Sequence, residues 1–374
     1  MAAEVKRILA AVLNWKGVED TIHCFESLLS CRLPEMVHLE ILIMDNDSRD
    51  NSFEILEKYV QNRGGTKVFK TYKLDEFEKA ADVGMSIYLV QNGENLGFAG
   101  GINVAFNYAL RSNFDYVLLV NNDAEIKPHS LCAALDAFTT DKDIGAIAAK
   151  IIVAGTAIID SAGDGCLYPG KFYKRHQAEP MGSVTARESV FGFCGGGALI
   201  STQMLTQVGG FDEDFFINHE DSDLSYRARI AGYKILLEPD FVIEHKVSSS
   251  MSKAGTLPNY YSILNADRVY LKNTPWLIMA LTFHEKLLYE IISFMYWVLI
   301  SKKMSVYLKA KRDFLYGLQG TLRKRKLLQN LRCCNSFELL INMDSILNSP
   351  AAKKRLSDIK LRLLGGNRHG HAFF

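Results

Sequence analysis

The chain has 374 residues, of which 48% are hydrophobic and 23% are charged, and its formal net charge is +1. This composition excludes a collagen-like or disordered chain, and the length favours a main domain with an appendage over a single core. The small net charge conceals an asymmetry, because residues 302–332 contain many Lys and Arg and a single acid, Asp313.

The first 125 residues alternate between short apolar runs and amphipathic segments. The predicted strands are residues 8–13, 39–44, 87–90 and 116–120, and the predicted helices are residues 18–29, 52–60 and a segment that ends at residue 110. Continuous apolar strands separated by helices are typical of a parallel sheet that is covered on both faces. The sequence therefore predicts an α/β domain of the nucleotide-binding kind, with an irregular stretch at 64–83.

The alternation stops near Lys150, and a different pattern continues to about residue 250. Residues 160–188 are predicted to form a loop-rich excursion, and a glycine-dense apolar segment follows at 191–201. A charged helix over 219–232 and a strand over 234–244 complete this part. We therefore expect the main domain to be residues 1–250, divided at about residue 125.

Residues 251–374 are predicted to form a mainly helical, basic region. Residues 276–300 are mostly apolar, but charged residues interrupt them, and the uncharged part is too short to span a bilayer. Two interpretations stay open: an interfacial helix that brings residues 276–332 to a membrane surface, or a helix that packs on the main domain. Helices of this kind could also pair two chains in a homodimer. No nucleic-acid partner is expected, because the basic residues lack clustered aromatic stacking pairs.

Polar residues follow the second and fourth predicted strands where each strand ends. Asp45 is well placed to accept hydrogen bonds from a ribose or a base edge, whereas Asp47 and Ser48 are interpreted as caps of the next helix. The run Asn121-Asn122-Asp123 follows the fourth strand. Its side chains could supply oxygen ligands to a divalent cation that also binds phosphate. Alone, this run is equally compatible with a turn that ends the strand.

A cluster of acids, Glu220, Asp221 and Asp223, opens the charged helix. A helix N-terminus favours negative charge, so a solvated, acid-rich first turn is the simplest interpretation. The apolar residues 215–217 come immediately before it and are expected to bury the approach to this turn. A carboxylate at the edge of an apolar pocket is suited to act as a general base. His245, at the end of the last strand, is interpreted as a packed or surface residue unless other site residues accompany it.

Residues 95–103 include Gly97, Gly100 and Gly101 directly after the third strand. The spacing matches neither a dinucleotide fingerprint nor a P-loop, and it indicates only that the backbone comes close to another group. A nucleotidyltransferase would need a glycine-rich, lysine-bearing loop after the first strand. Residues 14–17 read Asn-Trp-Lys-Gly instead, which disfavours that class.

Taken in this order, the segments resemble family 2 glycosyltransferases with the GT-A fold, and within them the rhamnosyltransferase-like group. The matching segments are residues 13–15, 44–48, 94–101, 120–123, 209–213, 215–227 and His245. The resemblance implies a GT-A catalytic domain over residues 1–250, in which 1–125 bind the nucleotide sugar and 126–250 bind the acceptor.

The resemblance also assigns roles to individual side chains. Those that would bind the donor are Asn14, Asp45, Asn95, Gly97, Gly100, Gly101 and Asn122. Asn121, Asp123 and His245 would ligate Mg²⁺ or Mn²⁺, and Asp221 would deprotonate the acceptor, with Glu220 the next candidate. Asn121 stands where the family carries an acid, so the cation is expected to arrive with the donor diphosphate. Related sequences often carry an arginine where this chain has Leu264, which leaves open whether this segment contacts the acceptor or the diphosphate.

The implied reaction is an inverting, metal-assisted transfer of a sugar to a hydroxyl of a glycan or lipid-linked acceptor in cell-surface polysaccharide synthesis. The donor would be a dTDP- or UDP-sugar, with rhamnose favoured. A UDP-hexose or UDP-galactofuranose transferase and a non-catalytic nucleotide-sugar scaffold are the alternatives, although a scaffold would be expected to have lost Asp123 or Asp221. Seven scattered cysteines and a start that leaves no room for a signal peptide favour a cytoplasmic protein, either free or on the inner face of a membrane.

Overall fold

The computed structural model describes residues 5–63, 69–80, 86–246 and 255–348, together with Lys353. An α/β unit built on one large sheet comes first, and a run of helices follows it. The strands are β1 Lys6–Asn14, β2 Val37–Asp45, β3 Phe69–Lys73, β4 Ile87–Gln91, β5 Tyr116–Val120, β6 Ala124–Ile126, β7 Ile144–Val153, β8 Ile159–Ala162, β9 Asp164–Cys166, β10 Phe172–Lys174, β11 Glu188–Val190, β12 Gly197–Ser201 and β13 Lys234–His245.

Helices cover both faces of the sheet and form the C-terminal region. They are α1 Val18–Leu29, α2 Ser52–Arg63, α3 Leu74–Lys79, α4 Gly97–Arg111, α5 Ser130–Phe138, α6 Thr202–Val208, α7 Glu220–Ile230, α8 Leu257–Asn273, α9 Trp276–Leu281, α10 Phe283–Met295, α11 Met304–Tyr316, α12 Leu318–Asn330 and α13 Ser336–Ile341. A π-helical turn, Tyr296–Ile300, continues α10.

The sheet has a parallel half and a mixed half. In the order β3–β4–β2–β1–β5, all neighbours are parallel. The register sets Asn14 beside Asp45 and Asp45 beside Gln91, so three strands end at the same edge. Because carboxyl ends of parallel strands form the ligand-binding edge of open α/β sheets, this edge is the natural position for a site. The predicted α/β class with a mostly parallel sheet is confirmed.

The mixed half brings two distant parts of the chain together. Strand β12 lies antiparallel between β5 and β7, and β13 runs parallel to β7. The end of β13 also pairs with β6, which sets His245 opposite Ala124. His245 therefore lies next to the residue that follows Asp123.

Buried apolar side chains form a layer on each face of the sheet. One layer joins α4, α6 and α7 to the strands through residues such as Phe106, Met204 and Leu224. The other joins α1 and α5 to the opposite face through residues such as Phe25 and Leu131. Two covered faces explain why the strands are continuously apolar rather than alternating.

The sequence prediction missed the long central strand β7 and several short strands. Strand β3 and helix α3 lie within the stretch predicted to be irregular, of which residues 64–68 and 81–83 are outside the described residues. Strand β3 is at the sheet edge and has the sequence Phe-Lys-Thr-Tyr-Lys, so it lacks the continuous apolar signal of its neighbours. The predicted excursion at 160–188 contains most of β8 and all of β9 and β10, which have only three or four residues each.

The C-terminal helices pack on the α/β unit through buried charges. The Lys272 ammonium of α8 is 2.5 Å from the Asp212 carboxylate and 3.0 Å from that of Asp223. Asp223 also accepts hydrogen bonds from Arg227 and Asn273. Within the described residues, no helix is both long and apolar enough to cross a membrane.

Candidate active site

The ends of β1 and β2 hold a buried polar cluster. The Asn14 amide donates to an Asp45 oxygen at 2.7 Å and to the Ser48 hydroxyl at 3.1 Å, and Ser48 donates to Asp45 at 2.6 Å. The Asn122 amide donates to the Thr21 hydroxyl at 3.2 Å, and the Thr21 hydroxyl donates to the side-chain oxygen Oδ1 of Asn14. Since Asn14 is fully buried, its observed contacts fix Asp45 at the sheet edge. Donor contacts from Asn14, Asp45 and Asn122 stay predictions.

The loop after β4 is held by asparagine side chains. Asn46 donates to the Asn95 side-chain oxygen at 3.0 Å and to the Gly97 carbonyl at 3.1 Å. Asn95 in turn accepts from the Gly97 N–H at 2.9 Å. These bonds order the start of α4 beside the end of β2.

The glycines of α4 are required by contacts within the protein. Gly97 has φ +70°, and a Cβ there would lie 2.4 Å from the Phe216 carbonyl oxygen. A Cβ at Gly101 would lie 2.6 Å from Leu13, and one at Gly100 would lie 3.0 Å from Leu96. The close approach expected from the sequence is therefore made by the chain itself. Whether these glycines also approach a diphosphate stays a prediction.

A histidine between two carboxylates lies at the other side of this edge. His245 Nε2 is 3.1 Å from an Asp123 oxygen, and His245 Nδ1 is 3.6 Å from an Asp160 oxygen. The Lys174 ammonium is 2.8 Å from both oxygens of Asp160. Asp123, His245 and Asp160 are all buried or nearly so, and the pairing of β13 with β6 and β7 holds them together.

The charges of this group depend on one another. Burial alone would lower the pKa of His245, but its two carboxylate partners outweigh that effect and raise the pKa to about 9. Burial likewise opposes ionisation of Asp160, but the bond from His245 and the charge of Lys174 lower the pKa of Asp160 to about 2. The imidazole is therefore protonated at neutral pH when no cation competes with the proton.

The Asp123 and His245 donors suit a divalent cation. Two adjacent ligands of an octahedral ion with bonds of about 2.1 Å are about 3 Å apart, which agrees with the observed 3.1 Å between Nε2 and the carboxylate oxygen. Among the described residues, no group of three or more His, Cys, Asp or Glu side chains is arranged to hold an ion. The pair therefore fits a cation that takes its remaining ligands from elsewhere. Asn121 is partly exposed beside Gly196, and its role as a ligand stays a prediction.

Helix α7 begins with the candidate base. The two Asp221 oxygens accept hydrogen bonds from the Gly195 N–H at 2.9 Å and from the Ser222 N–H at 2.6 Å. Burial raises the pKa of Asp221, while these N–H groups oppose the rise. A carboxylate whose pKa is raised and whose orientation is fixed is suited to accept a proton near neutral pH.

The neighbours of Asp221 have different environments. Glu220 is buried, its Oε2 has no hydrogen-bond partner among the described residues, and burial raises its pKa well above the usual range. His219 Nε2 lies 2.9 Å from the Lys171 ammonium, and burial and that charge lower the pKa of His219. Nε2 therefore accepts from Lys171, and the neutral imidazole is left with its proton on Nδ1, 3.3 Å from the Ser222 hydroxyl.

The base is connected to the predicted metal run by two consecutive glycines. The Gly195 N–H binds Asp221, and the Gly196 carbonyl accepts from the Asn121 N–H at 3.4 Å. A Cβ at Gly196 would lie 3.2 Å from the Asn121 amide nitrogen. Adjacent residues of the glycine-dense segment found in the sequence therefore contact the two groups.

The loop before α7 has an unusual backbone. Phe216, Asn218 and His219 all have positive φ, between +56° and +71°, although none is glycine. Such conformations are uncommon for L residues, and they persist where the surrounding structure holds them. Here the Asn265 amide of α8 donates to the carbonyl oxygens of Phe215, Ile217 and Asn218 at 2.8–3.1 Å.

Sequence reasoning missed the roles of Asp160, Lys174 and Asn265. Asp160 and Lys174 lie in the excursion predicted to be loop-rich, and only strand pairing brings them to His245. Asp164 on β9 was also missed, and burial and the Asp221 charge raise its pKa to about 7. Leu264, the position of the departure from the family, is buried against Trp297 and Tyr307. The sequence signal that could have identified Asp160 is its position directly after two isoleucines in a short apolar run.

Known proteins resemble this chain in sequence and in fold. The family model described as "Glycosyltransferase like family 2" matches residues 72–257. Staphylococcus aureus TarS 1–349 in complex with UDP-GlcNAc has a TM-score of 0.53 and 14% identity, over 97% of this chain and 93% of that one. The mannosyltransferase PcManGT from Pyrobaculum calidifontis, in complex with GDP-Man and Mn²⁺, has a TM-score of 0.50 and 14% identity, over 84% and 88%. The chain belongs to the family 2 glycosyltransferases and has the GT-A fold, as the sequence predicted.

Curated relatives narrow the group. The dTDP-rhamnosyl transferase RfbF of Shigella flexneri is 22% identical over 77% of this chain and 94% of its own length. The N-acetylglucosaminyl-diphospho-decaprenol L-rhamnosyltransferase of Mycobacterium tuberculosis is 28% identical over 44% of this chain and 61% of its own length. Within its family, the chain is therefore rhamnosyltransferase-like.

Proposed function

We propose that this glycosyltransferase moves rhamnose from dTDP-rhamnose to a hydroxyl of a lipid-linked or growing glycan, with inversion of the anomeric centre. The observation that carries the mechanism is the pair Gly195–Gly196, which contacts Asp221 on one side and Asn121 on the other. Two adjacent residues thus join the proposed proton acceptor to the run proposed to hold the metal and the diphosphate. The two relatives whose names specify rhamnosyl transfer support the donor.

The donor would bind along the edge formed by β1, β2 and β5. Asp45 is held by Asn14 and Ser48, which leaves a fixed acceptor for the hydroxyls of the nucleoside. Asp123 and His245 would hold a Mg²⁺ or Mn²⁺ ion, which supplies charge neutralisation for the departing diphosphate. The donor diphosphate would supply the ligands that these two side chains do not.

The acceptor hydroxyl would approach from the side of Asp221. Its oxygen forms the new bond to the anomeric carbon as the bond to the diphosphate oxygen breaks, and the electron pair of that bond leaves with the nucleoside diphosphate. Asp221 takes the hydroxyl proton, and the N–H groups of Gly195 and Ser222 keep its carboxylate directed at the acceptor. One displacement from the face opposite the leaving group inverts the centre. A lipid-linked acceptor would place the enzyme at the cytoplasmic face of a membrane.

Thermal stabilisation by nucleotides tests the donor site. Unfolding of the purified chain would be followed with dTDP, UDP, GDP or CMP, each with and without Mn²⁺ or Mg²⁺. A ligand at about 100 times its dissociation constant adds about 2.7 kcal/mol to stability. We expect the largest shift with dTDP and metal, and Asp123→Asn should remove the part that depends on metal. Glu125→Gln, an exposed acid two residues away, is the matched control.

Two results would count against the proposal. A largest shift with UDP would replace the rhamnosyl donor by a UDP-hexose or UDP-galactofuranose. No metal-dependent shift with any nucleotide would contradict the assignment of Asp123 and His245.

A further inference from the structure

Helix α10 has apolar residues on two faces, of which one is buried and the other is turned to solvent. Tyr289 and Ile292 lie on the buried face. Phe283, Leu287, Ile291 and Phe294 are between 45 and 65% exposed. Their spacing of four, four and three residues places them on one helical face, which we call the outer stripe. A helix in a globular protein normally buries such a stripe, so this orientation needs an explanation.

The opposite side of α10 carries its charges and is the side that packs inward. Lys286 binds Asp267 of α8 at 3.1 Å and Glu290 at 2.7 Å, and Lys311 of α11 binds the same two acids at 2.7 and 2.6 Å. The buried Glu285 accepts from the Ile346 N–H at 2.7 Å. These bonds fix the rotation of the helix, so the exposure of the outer stripe is built into the packing of α10.

The following helix extends the apolar surface. Leu299 of the π-helical turn and Met304, Leu308 and Leu315 of α11 are also exposed. The Phe294 and Tyr307 rings lie 5.8 Å apart and hold the two helices together. Lys302 stands exposed in the turn between them, next to Lys303. Apolar side chains and a basic turn therefore share one end of the helical region.

We propose that the outer stripe and the basic turn dock this protein on an anionic lipid bilayer. Apolar side chains flanked by cations are stable at the boundary between lipid head groups and acyl chains. The apolar side chains contact the acyl chains there, and the cations contact the anionic head groups. The proposal deepens the proposed function, since it names the surface that would meet a lipid-linked acceptor. Vesicle binding itself does not depend on sugar transfer.

A second copy of the chain fits this surface less well. A two-fold interface would bring together two copies of the same patch, each carrying Lys302 and Lys303. Like charges in an interface cost several kcal/mol unless they are paired. The acid nearest in sequence, Asp313, already binds Tyr260, Lys309 and Arg312. The homodimer that the sequence leaves open is therefore an outcome of the test rather than the proposal.

Vesicle co-sedimentation of the full chain tests the docking surface. Wild type would be mixed with vesicles of phosphatidylcholine alone and with vesicles that also contain phosphatidylglycerol. We expect binding to the anionic vesicles and at least tenfold weaker binding to the neutral ones. The double variant Leu287→Ser/Ile291→Ser should lower the affinity for anionic vesicles about tenfold or more, because it removes apolar surface that the bilayer would bury. Ile55→Ser, which changes a comparably exposed residue on α2, is the matched control and should bind as wild type.

The other outcomes overturn one part of the account each. The proposed docking surface is wrong if the wild-type protein does not bind anionic vesicles, or if the double variant binds them as tightly as the wild type. Equal binding to both kinds of vesicle would refute the role of the basic turn. A wild-type dimer in light scattering that becomes monomeric in the double variant would mean that a second copy covers the stripe. Absence of dTDP stabilisation in wild type, with vesicle binding intact, would refute the proposed function but not the docking surface.

Discussion

Replacement of Asn265 by alanine removes the hydrogen bonds that hold the loop before α7 and leaves the candidate base Asp221 unchanged. The Asn265 amide nitrogen donates to three carbonyl oxygens of residues 215–218, directly before the helix that starts with Glu220 and Asp221. Without it, those carbonyls lose their donor and the left-handed backbone of Phe216, Asn218 and His219 loses a restraint. We expect Asn265→Ala to lower both stability and turnover.

The size of the stability loss follows from the hydrogen bonds. An amide NH₂ group has two hydrogens, so the three contacts share the equivalent of two bonds. Each bond contributes about 0.5–1.5 kcal/mol net, which gives a loss of about 1–3 kcal/mol in the free energy of unfolding. For a domain of 150–250 residues that corresponds to a Tm lower by about 2–4 °C per kcal/mol. The variant should therefore remain folded at the assay temperature.

Urea unfolding would measure the stability loss, and release of dTDP in the presence of acceptor would measure turnover. Asn342→Ala, which removes an exposed amide that binds the Glu338 carbonyl, is the matched control and should change neither quantity much. If Asn265→Ala loses stability but keeps wild-type turnover, the loop does not position the base. If neither quantity changes, the three observed bonds contribute nothing.

The remaining predictions concern the base and the metal pair. Asp221→Asn should lower turnover by about 10²–10⁴-fold, whereas its stabilisation by dTDP should be kept. Near-normal turnover of this variant would make Glu220 the candidate base, and Glu220→Gln would test that assignment. Asp160→Asn should weaken Mn²⁺ binding about 10–100-fold, because a carboxylate that orients His245 is lost. Calorimetry in the presence of dTDP would measure this affinity, and an unchanged value would show that Asp160 does not act through the His245 imidazole. In the metal-free protein, the pKa of His245 is raised from 6.5 to about 9. Its stabilisation is therefore complete below about pH 6.5 and lost as the pH rises to about 9. His245→Gln should flatten that part of a stability–pH curve, and the same slope in both proteins would contradict the assignment.

The sequence predicted the parts of the fold whose signal is local. Residues 116–120 were predicted as a strand and residues 18–29 as a helix with the observed bounds, since each has a clear period and a clear end. The position of Asp45 at a strand end followed from the apolar run before it. These features depend on periodicity alone, which a single sequence contains.

Several of the features that were missed depend on pairing between distant strands. Asp160 approaches His245 only because β7 lies between β8 and β13. The sequence left open whether the helix within residues 276–300 lies on a membrane or packs on the main domain, because α10 has apolar residues on more than one face. In the structure Tyr289 and Ile292 are buried and Lys286 binds Asp267, which leaves the outer stripe exposed.

The stereochemistry of the transfer product tests the central claim most directly. The purified chain would be incubated with dTDP-rhamnose, Mn²⁺ and a lipid-diphosphate-linked sugar acceptor, and the anomeric configuration of the product would be assigned by NMR. The account predicts a rhamnosyl product whose anomeric configuration is inverted relative to the donor, and a rate of product formation at least about 100-fold lower for Asp221→Asn under the same conditions. A product with retained configuration, or equal product from the variant, would contradict a single displacement with Asp221 as the base.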